Sequence, residues 1–250
     1  MEARSPLFTP FRLVASAIIL IVGLTGWGLW HRSQVVAAQK IVAPAIEAGM
    51  AALNAGDFTT GARELKRARD AVDLLRRSDA EAVSVRRACR EAIVGDQAAS
   101  GDPLDILSES ISNNGKSHVL NSRHRSTWFL FDTIVLLGEG NRRPSIVDWP
   151  IEIEGKKCRI EITTPWVRKA VERAGSTTEG RVIFAAQPDQ LIPDPADSSV
   201  LVLRLNGTSA FLWSSFDTYA ALLYRDNAAD LLQLTQETLA RQTEQMEAPQ

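Results

Sequence analysis

Three histidines (His31, His118, His124) and two cysteines (Cys89, Cys158) are the side chains best suited to metal ligation or nucleophilic chemistry in this sequence. Their spacing argues against both. A metal site wants three or four convergent donors, and the sequence has neither HExxH nor paired CxxC to supply them. His118 and His124 stand in a Ser-, Asn- and Arg-rich stretch whose first following carboxylate is Asp132. A thiol nucleophile needs a base within hydrogen-bond reach, and neither histidine is linked in sequence to Cys158. Cys89 and Cys158 fall in different expected elements, so two buried free thiols are expected. Pairing in an oxidising compartment stays open. Asp189, Asp194 and Asp197 lie in PDQLIPDPADSS but miss the alternate positions of a calcium loop, so a proline-rich surface loop is expected. Gly138-Glu139-Gly140 lacks the third glycine and following helix of a phosphate loop and reads as a hairpin turn. No catalytic, cofactor-binding or metal-ligating residue is therefore expected. The enzyme alternative is a pocket on the β-rich region where His118, His124, Asp132 and Glu161 converge.

The other chemical signal is charge. Arg123, His124 and Arg125 precede the first long strand-like run, and Arg142 and Arg143 follow it. Such a patch docks an acidic partner or headgroup, or else guards strand ends against pairing with other chains. A second set of arginines, from Arg63 to Arg90, is interleaved with Glu64, Asp70, Asp73, Asp79, Glu81 and Glu91. That compensation, with a net charge of −2, gives no pull toward nucleic acid.

The element that orders the chain is the uncharged run LVASAIILIVGLTGWGLW at residues 13–30. At about 1.5 Å per residue it extends roughly 27 Å, close to the hydrocarbon thickness of a bilayer. Leu13, Ile18, Ile19, Leu20, Ile21, Val22 and Leu24 would face lipid, and Trp27 and Trp30 would lie at an interface. Membrane lipid is thus the first expected partner. A cleaved signal peptide is the rival, with Val36-Ala37-Ala38 offering a processing site. The run is longer than a usual signal core, and bulky, charged residues follow it, so an uncleaved anchor is favoured. Arg4 and Arg12 before the span, against Arg32 and Lys40 after it, favour a cytoplasmic N-terminus. A cytoplasm-facing regulator with the opposite topology is the alternative. Gly23, Gly26 and Gly28 do not make GxxxG, so no dimer face is read from them.

After the span, residues 34–96 are rich in helix formers. A first helix is expected over 36–54 with Pro44 kinking or restarting it, a second from Phe58, and a third capped by Ser78 or Asp79 and ended by Gly95. The stretch AALNAGDF at 51–58, followed by Gly61, Leu65 and Ala68, resembles part of a tetratricopeptide repeat, a helical hairpin with Gly-Asp-Tyr/Phe at its turn. Phe58, Gly61, Leu65 and Ala68 match in order and spacing, with Gly61 in place of the usual alanine. The resemblance implies a protein-binding hairpin in which Phe58 and Leu65 contribute to partner contact. A plain helical stalk is the alternative. One such unit must lean on something else, either the C-terminal region or a second copy of the chain.

The period then changes to that of strands. Residues 127–137, 146–153, 159–162 and 181–186 read as strands, with Gly155 turning one hairpin. Residues 200–205 and 209–213 around Asn206-Gly207 read as another hairpin, because Asn-Gly is favoured in tight primed turns. A short helix follows Pro165, and a C-terminal helix is expected over 217–246. The expected class is α+β: a transmembrane helix, a helical hairpin or stalk, then a small antiparallel β-rich domain, sandwich or barrel, with a C-terminal helix. The divisions are a tail over 1–12, the span over 13–30, helices over 34–96, a linker over 97–117, the β-rich domain over 118–227, and a helix with loose tail over 228–250. The texture of RVIFAAQ and VLVLRLNGTSAFLWSS resembles bacterial envelope proteins but carries no activity with it. The expected role is binding or scaffolding for an unidentified protein partner, from a single-pass anchor in the bacterial inner (cell) membrane, with the bulk outside the cytoplasm.

Overall fold

The computed structural model describes residues 10–100, 108, 120, 125–139, 143–153, 155–223 and 229–247. The chain is α+β. Its first part is helical: α1 (Pro10–Asn54), α2 (Phe58–Leu74) and α3 (Ala80–Ser100). The expected restart at Pro44 does not occur, and one helix runs from the apolar segment into the hairpin. Proline removes one helical hydrogen bond, but Val42 and Ala45 on either side are buried and hold the helix in register. The α1–α2 turn uses Gly56 at a φ of 76°, and Asp57 caps α2 by accepting from the Thr60 N–H at 3.0 Å. Two glycines let the helices close. A Cβ at Gly49 would lie 2.7 Å from Leu65 Cγ, and one at Gly61 would lie 2.6 Å from Leu53 Cδ2. Asp79 caps α3 through the Ala82 N–H at 2.9 Å. The expectation that Gly95 ends this helix is corrected: α3 continues to Ser100, and Gly95 makes room for the Phe58 ring.

The second part is one seven-stranded sheet. Its strands are β1 (Phe129–Leu136), β2 (Ser145–Ile153), β3 (Lys156–Ile162), β4 (Glu179–Ala186), β5 (Pro188–Pro193), β6 (Val200–Leu205) and β7 (Phe211–Leu212). The order is β5-β6-β3-β2-β1-β4-β7, mixed, with only β3 and β6 parallel. The sheet is open, so the barrel alternative is excluded, and helices cover its two faces. The expected hairpin at Asn206-Gly207 is also corrected. β6 and β7 lie at opposite sides of the sheet. A primed turn needs positive φ at one or both central residues, and neither Asn206 nor Gly207 has it. Asn206 Oδ1 instead accepts from the Thr208 and Ser209 N–H groups, and Gly207 lets the chain pass against the Thr163 carbonyl. The stretch expected as a loop at 188–193 is the edge strand β5, where prolines at both ends are tolerated because an edge leaves N–H positions unpaired.

Alternation along the strands sorts the two faces. Phe129, Phe131, Val135, Ile160, Val182 and Phe184 pack beneath α4 (Pro165–Arg173), which contributes Val167 and Val171. Rings fill this layer, with Phe131 4.9 Å from Phe184 and 5.1 Å from Trp149. On the opposite face Ile183, Ala185, Phe211 and Trp213 meet Val94 of α3, Tyr219 of α5 (Phe216–Leu223) and Leu239 of α6 (Ala229–Glu247). The single C-terminal helix expected over 217–246 is represented by α5 and α6, and residues 224–228 between them lie outside the described residues. The short helix expected in the linker lies outside them too, apart from Ser108.

Candidate functional site

The four residues that would have made an enzyme site do not assemble among the described residues. His118 and His124 lie outside these. Asp132 on β1 is committed to Arg181 of β4 by two bonds of 2.7 Å and accepts a third, also 2.7 Å, from the Tyr219 hydroxyl. Burial first and then the Asp132 carboxylate push the Tyr219 phenol up in pKa, and the same carboxylate raises the Arg181 guanidinium. Glu161 on β3 sits between Arg159, at 3.0 Å, and Arg204, at 3.8 Å. Asp194 is buried and pairs with Arg159 at 2.7 Å, while Asp197 binds Ser199. No group of metal-ligating side chains forms among the described residues. Cys89 and Cys158 are free and buried in separate apolar clusters. Burial pushes both thiols up, Cys158 to about 11, which leaves little thiolate at neutral pH.

A polar seam instead joins the helices to the sheet. Glu91 of α3, 1% exposed, accepts from the Ser214 N–H and hydroxyl at 2.8 Å each and from the Ser215 N–H at 3.3 Å. Burial drives its pKa up against those bonds. Gln242 of α6 is matched to the edge of β4. Its carbonyl accepts from the Ile183 N–H at 2.9 Å, and its amide donates to the Ile183 and Trp213 carbonyls at 2.8 Å each. One side-chain amide therefore bridges β4 and the residue just past β7, where the Trp213 N–H also donates to the Ile183 carbonyl at 3.0 Å. Neither residue was identified from the sequence. Glu91 sits among alternating charges, and Gln242 in a glutamine-rich tail, so composition hides both.

Of the basic patch, Arg125 and Arg143 are among the described residues. Arg125 and Arg143 flank opposite ends of β1, a strand of about 26 Å at 3.3 Å per residue. Arg123, His124 and Arg142 lie outside the described residues. Arg143 pairs with Glu139 at 3.0 Å and borders a cavity of about 300 Å³ at the start of α4. A second cavity, about 340 Å³, opens beside Gln242 between α4 and α6, with Arg173, Arg181 and Arg241 on its wall. Phe58 and Leu65, expected to contribute to partner contact, are both buried among Leu53, Ala62, Cys89 and Ala92, so they build the hairpin core rather than its surface. The arginines of α2 and α3 are extensively paired, among them Arg67 with Glu64 at 2.6 Å and Arg86 with Asp73 at 2.8 Å.

Along α1, Leu20, Ile21, Val22, Leu24, Trp27 and Trp30 are all exposed, with Leu20 at 62% and Trp30 at 58%. For Leu13, Ile18 and Ile19 only the helical backbone is described. This helix is long and apolar enough to cross a membrane. Comparison with protein-family models, characterised proteins and solved structures finds no match, so any function must come from the residues themselves.

Proposed function

We propose that this chain is a single-pass, membrane-anchored binding or scaffolding protein of the bacterial inner membrane, with its bulk outside the cytoplasm. One contrast along α1 carries the proposal. At about 100° per residue, Leu20, Ile21, Val22, Leu24, Trp27, Leu29 and Trp30 point to every side of the helix, and all are exposed. Farther along the same helix, Ala38, Val42, Ala45 and Leu53 are buried against α2 and α3. A core helix of a water-soluble protein buries its large apolar side chains. Lipid is the solvent that suits residues 20–30, and protein suits the rest.

The helix does not break between the two environments. From Trp30 to Ala38 it rises only about 12 Å, so the hairpin would stand close to the membrane surface without a long stalk. The close packing at Gly49 and Gly61 supports the likeness to a tetratricopeptide hairpin. Binding is favoured over catalysis because Asp132, Glu161 and Asp194 are engaged in ion pairs, Glu91 is buried under three hydrogen bonds, and the thiols are buried. Paired reporter fusions after Gln250 test the orientation: a periplasm-active reporter is expected to work and a cytoplasm-active one to fail. The reverse result overturns the orientation. Crosslinking in native membranes tests the binding role, and recovery of no specific protein partner overturns it.

A further inference from the structure

The cavity at the start of α4 is built from three sources of hydrogen-bond donors. Its roof is the first turn of a nine-residue helix with Thr164 at the N-cap and Pro165 at the first position. Thr164 makes no side-chain cap bond, so the orphan N–H groups of that turn have no cap acceptor from it. The helix dipole adds partial positive charge at the same point. Its floor includes Ser145, at the start of β2. Ser145 lies on the same strand face as Val147, the face that α4 covers, and is 6% exposed. Its hydroxyl has no protein partner among the described residues, and buried hydroxyls are normally bonded. The wall carries Arg168 and Lys169. Arg168 donates to the Gly138 carbonyl and lies 3.9 Å from Glu172, which tethers it in place. Lys169 is exposed and makes no ion pair among the described residues.

We propose that this pocket binds the phosphate group of a phosphomonoester. Helix-start, hydroxyl and cationic donors outnumber the one lining carboxylate, Glu172, which Arg168 faces, and this suits a tetrahedral oxyanion with several acceptor oxygens better than a planar carboxylate. Ser145 supplies the missing bond from below and acquires the partner it lacks. The volume of about 300 Å³ exceeds that of phosphate alone and leaves room for an attached alcohol, sugar or glycerol unit. The ligand is either a soluble phosphate ester or a lipid headgroup, and the pocket chemistry is the same for both. The site stands whether or not α1 spans a membrane.

The test is a titration of full-length protein, in phosphate-free detergent micelles, with inorganic phosphate and then glycerol phosphate, followed by phosphorus NMR line width. Saturable broadening with a Kd of about 1 mM or tighter is expected. Lys169→Gln, at an exposed position that does not threaten folding, should weaken binding about tenfold. Ser145→Ala should weaken it roughly threefold to tenfold at an unchanged unfolding temperature. Repeating the titration in nanodiscs separates the two sources. If phosphatidate raises the apparent Kd for inorganic phosphate relative to phosphatidylcholine alone, the natural ligand is a headgroup. No effect of phosphatidate assigns a soluble ester. Absence of saturable broadening in the wild type, or equal binding by wild type and Lys169→Gln, overturns the proposal.

Discussion

Gly95→Ala should destabilise the protein, against the usual effect of that substitution within a helix. In an open helical position alanine gains about 1 kcal/mol over glycine. Here the new methyl carbon would stand 2.7 Å from Cε1 of Phe58 and closer still to Cδ1, where carbon atoms prefer about 3.5–4.0 Å. The Phe58 ring cannot withdraw freely, because Leu53, Ala62, Cys89 and Ala92 enclose it. Overpacking of this kind costs about 2 kcal/mol. The balance is a net loss of about 1 kcal/mol, or roughly 2–4 °C in unfolding temperature for a chain of this size. Thermal unfolding in micelles, followed by tryptophan fluorescence, reads the change. Phe58→Leu supplies the control. Alone it leaves a void, and combined with Gly95→Ala the two should recover about 1 kcal/mol relative to the sum of the single effects. A stabilised Gly95→Ala variant, or strict additivity of the pair, would refute the close approach of α3 to Phe58.

Three further outcomes follow from buried groups. Glu91 has its folded pKa raised above the ordinary 4.5, so its contribution to stability is full below that value and is lost as pH rises through the elevated one. Glu91→Gln should remove that part of the pH slope in a denaturant series, and an unchanged slope would contradict the assignment. Gln242→Ala strands the N–H of Ile183 and the carbonyl of Trp213, while the Ile183 carbonyl keeps the Trp213 N–H, for a loss of about 2–4 kcal/mol. Amide exchange should show the Ile183 proton losing protection, and retained protection would mean that α6 does not cap this edge. Cys89 and Cys158 should resist maleimide in the folded protein and react only on denaturation, since both are buried. Labelling at the rate of a free thiol would place them at the surface.

Local chemistry was legible in the sequence where neighbours decide the outcome. The cap at Asp79, the helix after Pro165 and the β2–β3 hairpin around Gly155 are each fixed by residues within a few positions. Elements decided by distant partners were not. Gly95 looks like a helix stop until Phe58 is seen against it. Asn206-Gly207 looks like a hairpin until β6 is taken up by β3 and β5. The prolines of β5 looked like a loop because an edge strand and a loop share that tolerance. Pro44 failed to break α1 because buried contacts on both flanks outweigh one lost bond. In the candidate pocket only Arg143 was singled out from the sequence. Ser145 and Lys169 have no local signature, and they meet only because β2, β3 and α4 converge.

The claim on which the rest depends is that residues 13–30 stay in lipid as an uncleaved tether. Alkaline carbonate extraction of cells expressing the full chain, with intact-mass measurement of each fraction, tests it most directly. The expected result is a membrane-retained chain at its full mass of 27.4 kDa. A freely soluble chain with its N-terminus intact, or a product beginning after Ala38, would contradict it.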